Sequence, residues 1–225
     1  MNYFTFASEQ DWHIAAVQEI LKDVPRDTEF SLALSGGSTP IPVYEELAKQ
    51  NIPWGNAHIF EVDERYILPE KPDSNALLIH NHFLNLLPEP PKSVYFFETS
   101  GVFSWKESAE KYHDLLQKFE KPFDVCILGI GPDGHTASLF PNGPEIHETE
   151  KLATISETNI FPVWKRLTVT FPMILKSKKI VVLLCGISKR KILDELEHGE
   201  KSWEEFPAKK ILSHPNLHIF FCEEE

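Results

Sequence analysis

The sequence predicts an α/β fold, a three-layer αβα sandwich built on a mostly parallel, Rossmann-like sheet. Segments 124–130 and 179–185 are almost wholly apolar, which is typical of strands buried on both faces of a parallel sheet. Along the chain, strand-like segments alternate with segments whose apolar residues recur at helical spacing. This alternation favours a parallel sheet with helices on both of its sides.

Serine residues ahead of periodic apolar segments indicate where helices start. Ser8 with Asp11, and Ser104 with Glu107, have the spacing of N-terminal caps, and Ser74 also suits a cap position. The predicted elements, in chain order, are a helix after Ser8, a strand over 30–34, a helix after the turn 35–40, a strand over 57–62, a helix after Ser74, a strand over 93–97, a helix after Ser104, strands over 124–130, 166–171 and 179–185, and a helix after Lys189.

The composition is that of one globular domain, which we expect to span residues 1–225, because no repeat or linker is evident. The formal charge is −12, from 34 acidic and 22 basic residues, so nucleic acid and anionic membranes are not expected partners. The longest apolar run, 180–185, is far shorter than the roughly 18 residues of a membrane-spanning helix. With three cysteines in apolar segments and no signal-peptide pattern, we expect a cytoplasmic protein. A monomer and a homodimer both remain open.

Ligands of parallel α/β sheets bind beyond the carboxyl ends of the strands, and a glycine-rich loop follows the predicted strand 30–34. Gly36 and Gly37 let the backbone approach a ligand, Ser38 and Thr39 add hydroxyl groups, and Pro40 suits the first helical position. Free N–H groups there would favour a phosphate. The alternative is a plain strand–helix turn capped by Thr39.

Charged residues follow other predicted strands. Arg65 can hold a phosphate or a carboxylate by two parallel hydrogen bonds, and Asp63 can orient a water or a base. The same triplet, 63–65, is also typical of solvated loop charge. Arg166 starts a further predicted strand, and Lys189 follows another in a turn that leads into a helix. Each alone resembles an ordinary surface cation.

His135 is the histidine whose position most favours catalysis. It follows a glycine-rich turn at the end of a buried strand, beside Asp133, and an imidazole near neutral pH is a suitable base for activating water. Segment 129–134 matches the dinucleotide fingerprint, but the turn at 141–144 leaves no room for the crossover helix, so an oxidoreductase is not expected. The chain has no metal-binding or serine-nucleophile motif, and no cofactor is expected.

Five segments, found in the same order, resemble the 6-phosphogluconolactonase family, part of the wider glucosamine-6-phosphate isomerase/deaminase superfamily. These segments are 35–40, 63–65 with 74–75 downstream, 128–141, 166–168 and 186–189. The resemblance implies cofactor-free hydrolysis of 6-phospho-D-glucono-1,5-lactone in the oxidative pentose phosphate pathway. It also implies residue roles: His135 as the base with Asp63 or Asp133 orienting it, and Gly36, Gly37, Ser38, Thr39, Arg65, Arg166 and Lys189 binding the substrate.

Two other functions remain alternatives. The sibling isomerase/deaminase normally has a catalytic glutamate five residues after the histidine and an aromatic residue at the position of Arg65, whereas this chain has Phe140 and the arginine. A non-catalytic sugar-phosphate sensor would not need Asp63, Asp133 and His135 together. The chain also departs from the family at 163–165, where a proline pair is usual before the arginine, and this leaves the geometry of Arg166 open.

Overall fold

The computed structural model describes residues 2–224, which form ten β-strands and six α-helices joined by short 3₁₀ turns. The strands are β1 Asn2–Phe6, β2 Phe30–Leu34, β3 Ala57–Glu61, β4 Asp63–Arg65, β5 Ser93–Tyr95, β6 Val125–Leu128, β7 Ala153–Glu157, β8 Lys165–Val169, β9 Ile180–Cys185 and β10 Leu217–Cys222. The helices are α1 Glu9–Leu21, α2 Ile41–Ala48, α3 Asn75–His82, α4 Trp105–Phe119, α5 Phe171–Lys176 and α6 Arg190–His198.

Seven strands form one sheet in the order β1-β10-β9-β6-β2-β3-β5, and every neighbouring pair is parallel. Side chains alternate between its two faces: Leu32 packs with α1, α2 and α3 on one face, whereas Ala33 packs with α4, α5 and α6 on the other. The predicted three-layer α/β fold is therefore confirmed.

The predicted helix caps are present. Ser8 Oγ accepts from the Asp11 backbone N–H at 3.1 Å, and Ser104 forms a reciprocal capping box with Glu107. The prediction for Pro40 is wrong by one position, because Pro40 is the N-cap of α2 and Ile41 is its first residue. No side chain caps α2, so Thr39 does not act as a cap.

A second, antiparallel sheet of three strands, in the order β4-β8-β7, was not predicted. The charged triplet 63–65 is strand β4 rather than a loop, and the strand predicted over 166–171 is β8, after which α5 begins at Phe171. In this pairing Asp63 lies opposite Thr168 and Arg65 lies opposite Arg166. The partners are about a hundred residues apart in sequence, so local periodicity carries no sign of them.

The C-terminal segment is also part of the main sheet. β10 lies between β1 and β9, with all six of its residues buried. Its apolar sequence, like that of β9, fits a strand covered on both faces. No helix within residues 2–224 has both the length and the apolarity needed to cross a bilayer.

Candidate active site

A cavity of about 200 Å³ opens at the carboxyl edge of the parallel sheet. The loops that follow β2, β6 and β9 form its walls together with strands β4 and β8. All but two of the residues selected from the sequence line this cavity. The two exceptions are Ser38, which is exposed, and Asp133, which contacts the lining residue His135. The lining includes Gly36, Gly37, Thr39, Asp63, Arg65, His135, Arg166 and Lys189.

The turn that follows β6 holds His135 in one orientation. Its Nδ1 lies 2.5 Å from Asp133 Oδ1, and a Cβ built on Gly131 would lie only 1.9 Å from the imidazole Cε1. Only glycine at position 131 therefore lets the ring lie against the backbone. Burial raises the pKa of Asp133, but the hydrogen bond and charge of His135 outweigh this, and the net shift is downward.

With Nδ1 bonded to an ionised carboxylate, the neutral imidazole carries its proton on Nδ1, which leaves Nε2 as an acceptor. Two phenylalanines confine the other sides of the ring. Phe140 lies 4.9 Å from it between ring centroids, and Phe161 lies 5.4 Å away in an edge-to-face arrangement. The imidazole is thus fixed by one hydrogen bond and three packing surfaces.

Two arginines lie side by side where the β4–β8 strand pair borders the cavity. Arg65 and Arg166 face each other in the β4–β8 register, and like charges in that position repel. Burial lowers the pKa of Arg166 and the charge of Arg65 lowers it further, although nearby acidic groups oppose this. The Nε atom of Arg65 is buried without a hydrogen-bond partner in the described part of the chain. An anion bound between the two guanidinium groups would relieve their repulsion.

The third cation of the pocket is Lys189, which follows the turn after β9. Its Nζ donates to the carbonyl of Ile130 at 2.8 Å, beside the turn that holds His135. Burial lowers its pKa, and Asp133 partly opposes that shift. A net charge of −12 therefore coexists with a cavity lined by two guanidinium groups and an ammonium group.

Asp63 joins two walls of the cavity instead of contacting the histidine. Its Oδ2 accepts from Ser138 Oγ at 2.6 Å, and its backbone carbonyl accepts from Asn75 Nδ2 at 2.7 Å. The Asn75 side chain in turn lies over Gly36, where a Cβ would be 1.8 Å from Asn75 Oδ1. Asp63 thereby connects the β6 turn, α3 and the glycine-rich loop.

Two buried glutamates lie behind this wall. Glu64 accepts hydrogen bonds from Ser74 Oγ and from the backbone N–H groups of Arg65, Asn75 and Ala76, at 2.6 to 2.9 Å. Burial nonetheless raises its pKa. Burial, followed by the charge of Glu64, raises the pKa of Glu61 well above its ordinary value. The two carboxyl groups anchor the end of β3 and the start of α3.

Sequence reasoning did not select Asn75, Ser138 or Phe161 as site residues. Asn75 and Ser138 fall inside the family-like segments, so their position gave a usable signal. Phe161 belongs to the connection between β7 and β8, and no sequence pattern distinguishes it. Within residues 2–224, no group of three or more His, Cys, Asp or Glu side chains is arranged to hold a metal ion.

Fold and cavity together define a class: a three-layer α/β protein with a cationic, histidine-containing pocket at the carboxyl edge of its parallel sheet. A family model described as glucosamine-6-phosphate isomerases/6-phosphogluconolactonase matches residues 9–219. The chain belongs to this family.

Similar proteins agree with this assignment. A 6-phosphogluconolactonase of Synechocystis is 34% identical over 205 residues, covering 88% of this chain and 84% of that protein. A probable 6-phosphogluconolactonase of Dictyostelium discoideum is 32% identical over 237 residues, covering 99% of this chain and 98% of that protein. The crystal structure of a 6-phosphogluconolactonase from Thermotoga maritima superposes with a TM-score of 0.85 at 28% identity, covering 99% of each chain.

A monomeric glucosamine-6-phosphate deaminase also superposes with a TM-score of 0.85, at 22% identity, covering 100% of this chain and 98% of that one. The same fold therefore occurs both in a 6-phosphogluconolactonase and in a glucosamine-6-phosphate deaminase. The choice between their activities has to come from the side chains of the pocket.

Proposed function

We propose that this chain hydrolyses 6-phospho-D-glucono-1,5-lactone to 6-phospho-D-gluconate, a step of the oxidative pentose phosphate pathway. The observation that carries the proposal is the His135–Asp133 pair placed in a cavity that also contains Arg65, Arg166 and Lys189. A base beside three cations suits an anionic substrate whose carbonyl carbon is attacked by water. The names of the similar proteins support the same activity.

In the proposed reaction His135 is the base. Its Nε2 takes a proton from water as the water oxygen bonds to the lactone carbonyl carbon, and the carbonyl oxygen becomes an oxyanion. The ester C–O bond then breaks, and the departing ring oxygen receives the proton from the imidazolium. A positioned acid–base group contributes about 10² to 10⁴ in rate. No covalent intermediate is needed, because a lactone is an activated ester.

Asp133 is assigned to orienting His135, because it is the carboxylate in direct contact with the ring. Its lowered pKa keeps it ionised, so it stabilises the imidazolium while the proton is held there. Asp63 is assigned to holding the β6 turn through Ser138. Arg166 and Lys189 are assigned to the phosphate, and Arg65 or an N–H group of the glycine-rich loop at 36–39 is assigned to the oxyanion. The same loop binds the sugar.

One observation weighs against the isomerase/deaminase alternative. Phe140, at the position where that branch normally has its glutamate, packs on His135 with ring centroids 4.9 Å apart. A phenylalanine cannot transfer the protons needed for ring opening. Retention of the His135–Asp133 hydrogen bond likewise favours an enzyme over a non-catalytic sensor.

The test is turnover of freshly generated 6-phosphogluconolactone, followed against its spontaneous hydrolysis, with glucosamine 6-phosphate assayed in parallel. We expect strong acceleration of lactone loss and no release of ammonia. Ammonia release without lactonase activity would establish the isomerase/deaminase instead. Binding of 6-phosphogluconate with no turnover of either substrate would establish the sensor.

A further inference from the structure

A cluster of one lysine and three aromatic side chains lies beside the arginine pair but outside the cavity. The Nζ atom of Lys165 is 5.1 Å from the ring centroid of Trp164, 5.4 Å from that of Trp105 and 5.9 Å from that of Tyr66. All three distances fall within the roughly 6 Å over which a cation is attracted to an aromatic face. We refer to these four residues as the Lys165 cage.

The Lys165 cage is connected to both arginines through the backbone. Lys165 precedes Arg166 in β8, and its carbonyl accepts from the Tyr66 N–H at 3.0 Å, directly after Arg65. Trp105 Nε1 donates to the carbonyl of Arg166 at 2.7 Å. Successive strand side chains point to opposite faces, so Lys165 and Tyr66 lie on one face of this strand pair while the guanidinium groups occupy the other.

The arginine pair needs such a support. Arg65 and Arg166 are opposed at the end of the β4–β8 pairing, where repulsion between like charges favours separation of the strands. Attraction between the Lys165 ammonium and rings from Tyr66, after β4, and Trp105, at the start of α4, acts in the opposite direction. It holds the two strand ends together across the same register.

We propose that the Lys165 cage is a positioning device for Arg166, which keeps the two guanidinium groups side by side before an anion arrives. The proposal rests on the proposed function only for the identity of that anion. Lys165 and its rings do not line the cavity, so their effect on binding is indirect and acts through Arg166.

The experiment measures the Kd of 6-phosphogluconate, with inorganic phosphate as a second probe, in Lys165→Met and Trp164→Leu. Trp164 is 49% exposed, so its replacement removes a ring without opening the core. Each substitution should raise both Kd values about fivefold to tenfold, as expected for loss of cation–π attraction that holds a charged contact in place. The kcat for the lactone should stay near that of the parent, because His135 is untouched.

Two controls separate positioning from direct charge. Lys165→Arg keeps a cation that stacks on aromatic rings and should restore parental affinity. Lys111→Met removes a similar cation, whose Nζ is 4.1 Å from the Phe103 ring, and should have no effect. The double variant of Lys165→Met and Trp164→Leu should bind as Lys165→Met does, because Lys165→Met already removes the interaction with Trp164.

An unchanged Kd in Lys165→Met or in Trp164→Leu would overturn the proposal, because the ammonium, or the ring nearest to it, would then contribute nothing to the position of Arg166. Weaker binding in Lys165→Arg would also overturn it, because a cation that stacks on the same rings would then fail to replace Lys165. If the parent binds inorganic phosphate but neither binds 6-phosphogluconate nor turns over the lactone, the proposed function fails. The Kd values of inorganic phosphate then provide the test of the Lys165 cage. Binding of neither probe by the parent would overturn both.

Discussion

Asp133 Oδ1 and His135 Nδ1 lie 2.5 Å apart, two residues from each other in the turn that follows β6. The same turn places Gly131 under the imidazole. Orientation of the ring therefore depends largely on one short segment, and changes within that segment test the proposed reaction without replacing any of the three cations proposed to bind substrate.

The first prediction concerns Asp133→Asn. The lowered pKa of Asp133 means that a charged carboxylate faces His135 at neutral pH. An amide removes that charge and can stabilise the wrong tautomer. We expect kcat for the lactone to fall by up to about 10⁴-fold, the loss known when the aspartate that fixes the tautomer of a histidine base is replaced by asparagine. Stopped-flow assays check this, with the exposed Asp114→Asn as control, and parental kcat in Asp133→Asn would contradict the orienting role.

The second prediction concerns Gly131→Ala. The new Cβ would lie 1.9 Å from His135 Cε1, so the ring has to leave its present position. A small misplacement of a catalytic group can cost about 10²-fold in rate. We expect a loss of kcat on that order with folding retained. Gly55→Ala is the matched control, because its Cβ would meet only Glu89 at ordinary contact distance, and a fully active Gly131→Ala would argue against a catalytic His135.

The third prediction concerns pH and Lys189. Burial lowers the pKa of this ammonium, with Asp133 opposing, so it loses its proton at lower pH than an ordinary lysine does. Affinity for 6-phosphogluconate should therefore fall as pH rises toward the alkaline range. Lys189→Arg keeps its charge there and should flatten the dependence, as calorimetric titrations across this range would measure. Parallel pH profiles for parent and variant would show that Lys189 does not bind the anion.

The fourth prediction concerns stability and Glu61. Burial, then the charge of Glu64, raises the pKa of Glu61, and its Oε1 has no hydrogen-bond partner within the described residues. A carboxyl group with a raised folded-state pKa favours folding in acid, and this contribution is lost as pH rises. Glu61→Gln imitates the protonated form and still accepts from the Phe97 N–H.

Urea unfolding of Glu61→Gln and the parent at about pH 4 and about pH 8 measures this contribution. The variant should have the higher midpoint at the alkaline value and a similar midpoint at the acid value. Replacement of the exposed Glu70 by Gln should change neither midpoint. A variant that is less stable at both values would indicate that ionised Glu61 is needed for the fold.

Local features of the fold could be predicted, and long-range pairings could not. The capping box of Ser104 and Glu107 is encoded within four residues, and the apolar segment at β9 marks a strand covered on both faces. The opposition of Arg65 and Arg166 depends on strands about a hundred residues apart. The sequence therefore indicated that each arginine follows or starts a strand, but not that the two face each other.

The same distinction holds in the pocket. His135 and Asp133 are two residues apart in a glycine-rich turn, so their contact was among the sequence-based possibilities. Asp63 was the other candidate partner, and only the tertiary structure shows it bonded to Ser138. Phe161 reaches His135 from the β7–β8 connection, a contact that depends on a loop conformation without any sequence signature.

The most direct test of the proposed reaction is one comparison in His135→Gln. Lactone turnover and 6-phosphogluconate affinity are measured on the same preparation. The proposal predicts that kcat falls about 10²- to 10⁴-fold, the usual contribution of a general base, while the Kd of the product stays near that of the parent. Turnover at the parental rate in His135→Gln would contradict the assignment of His135 as the base.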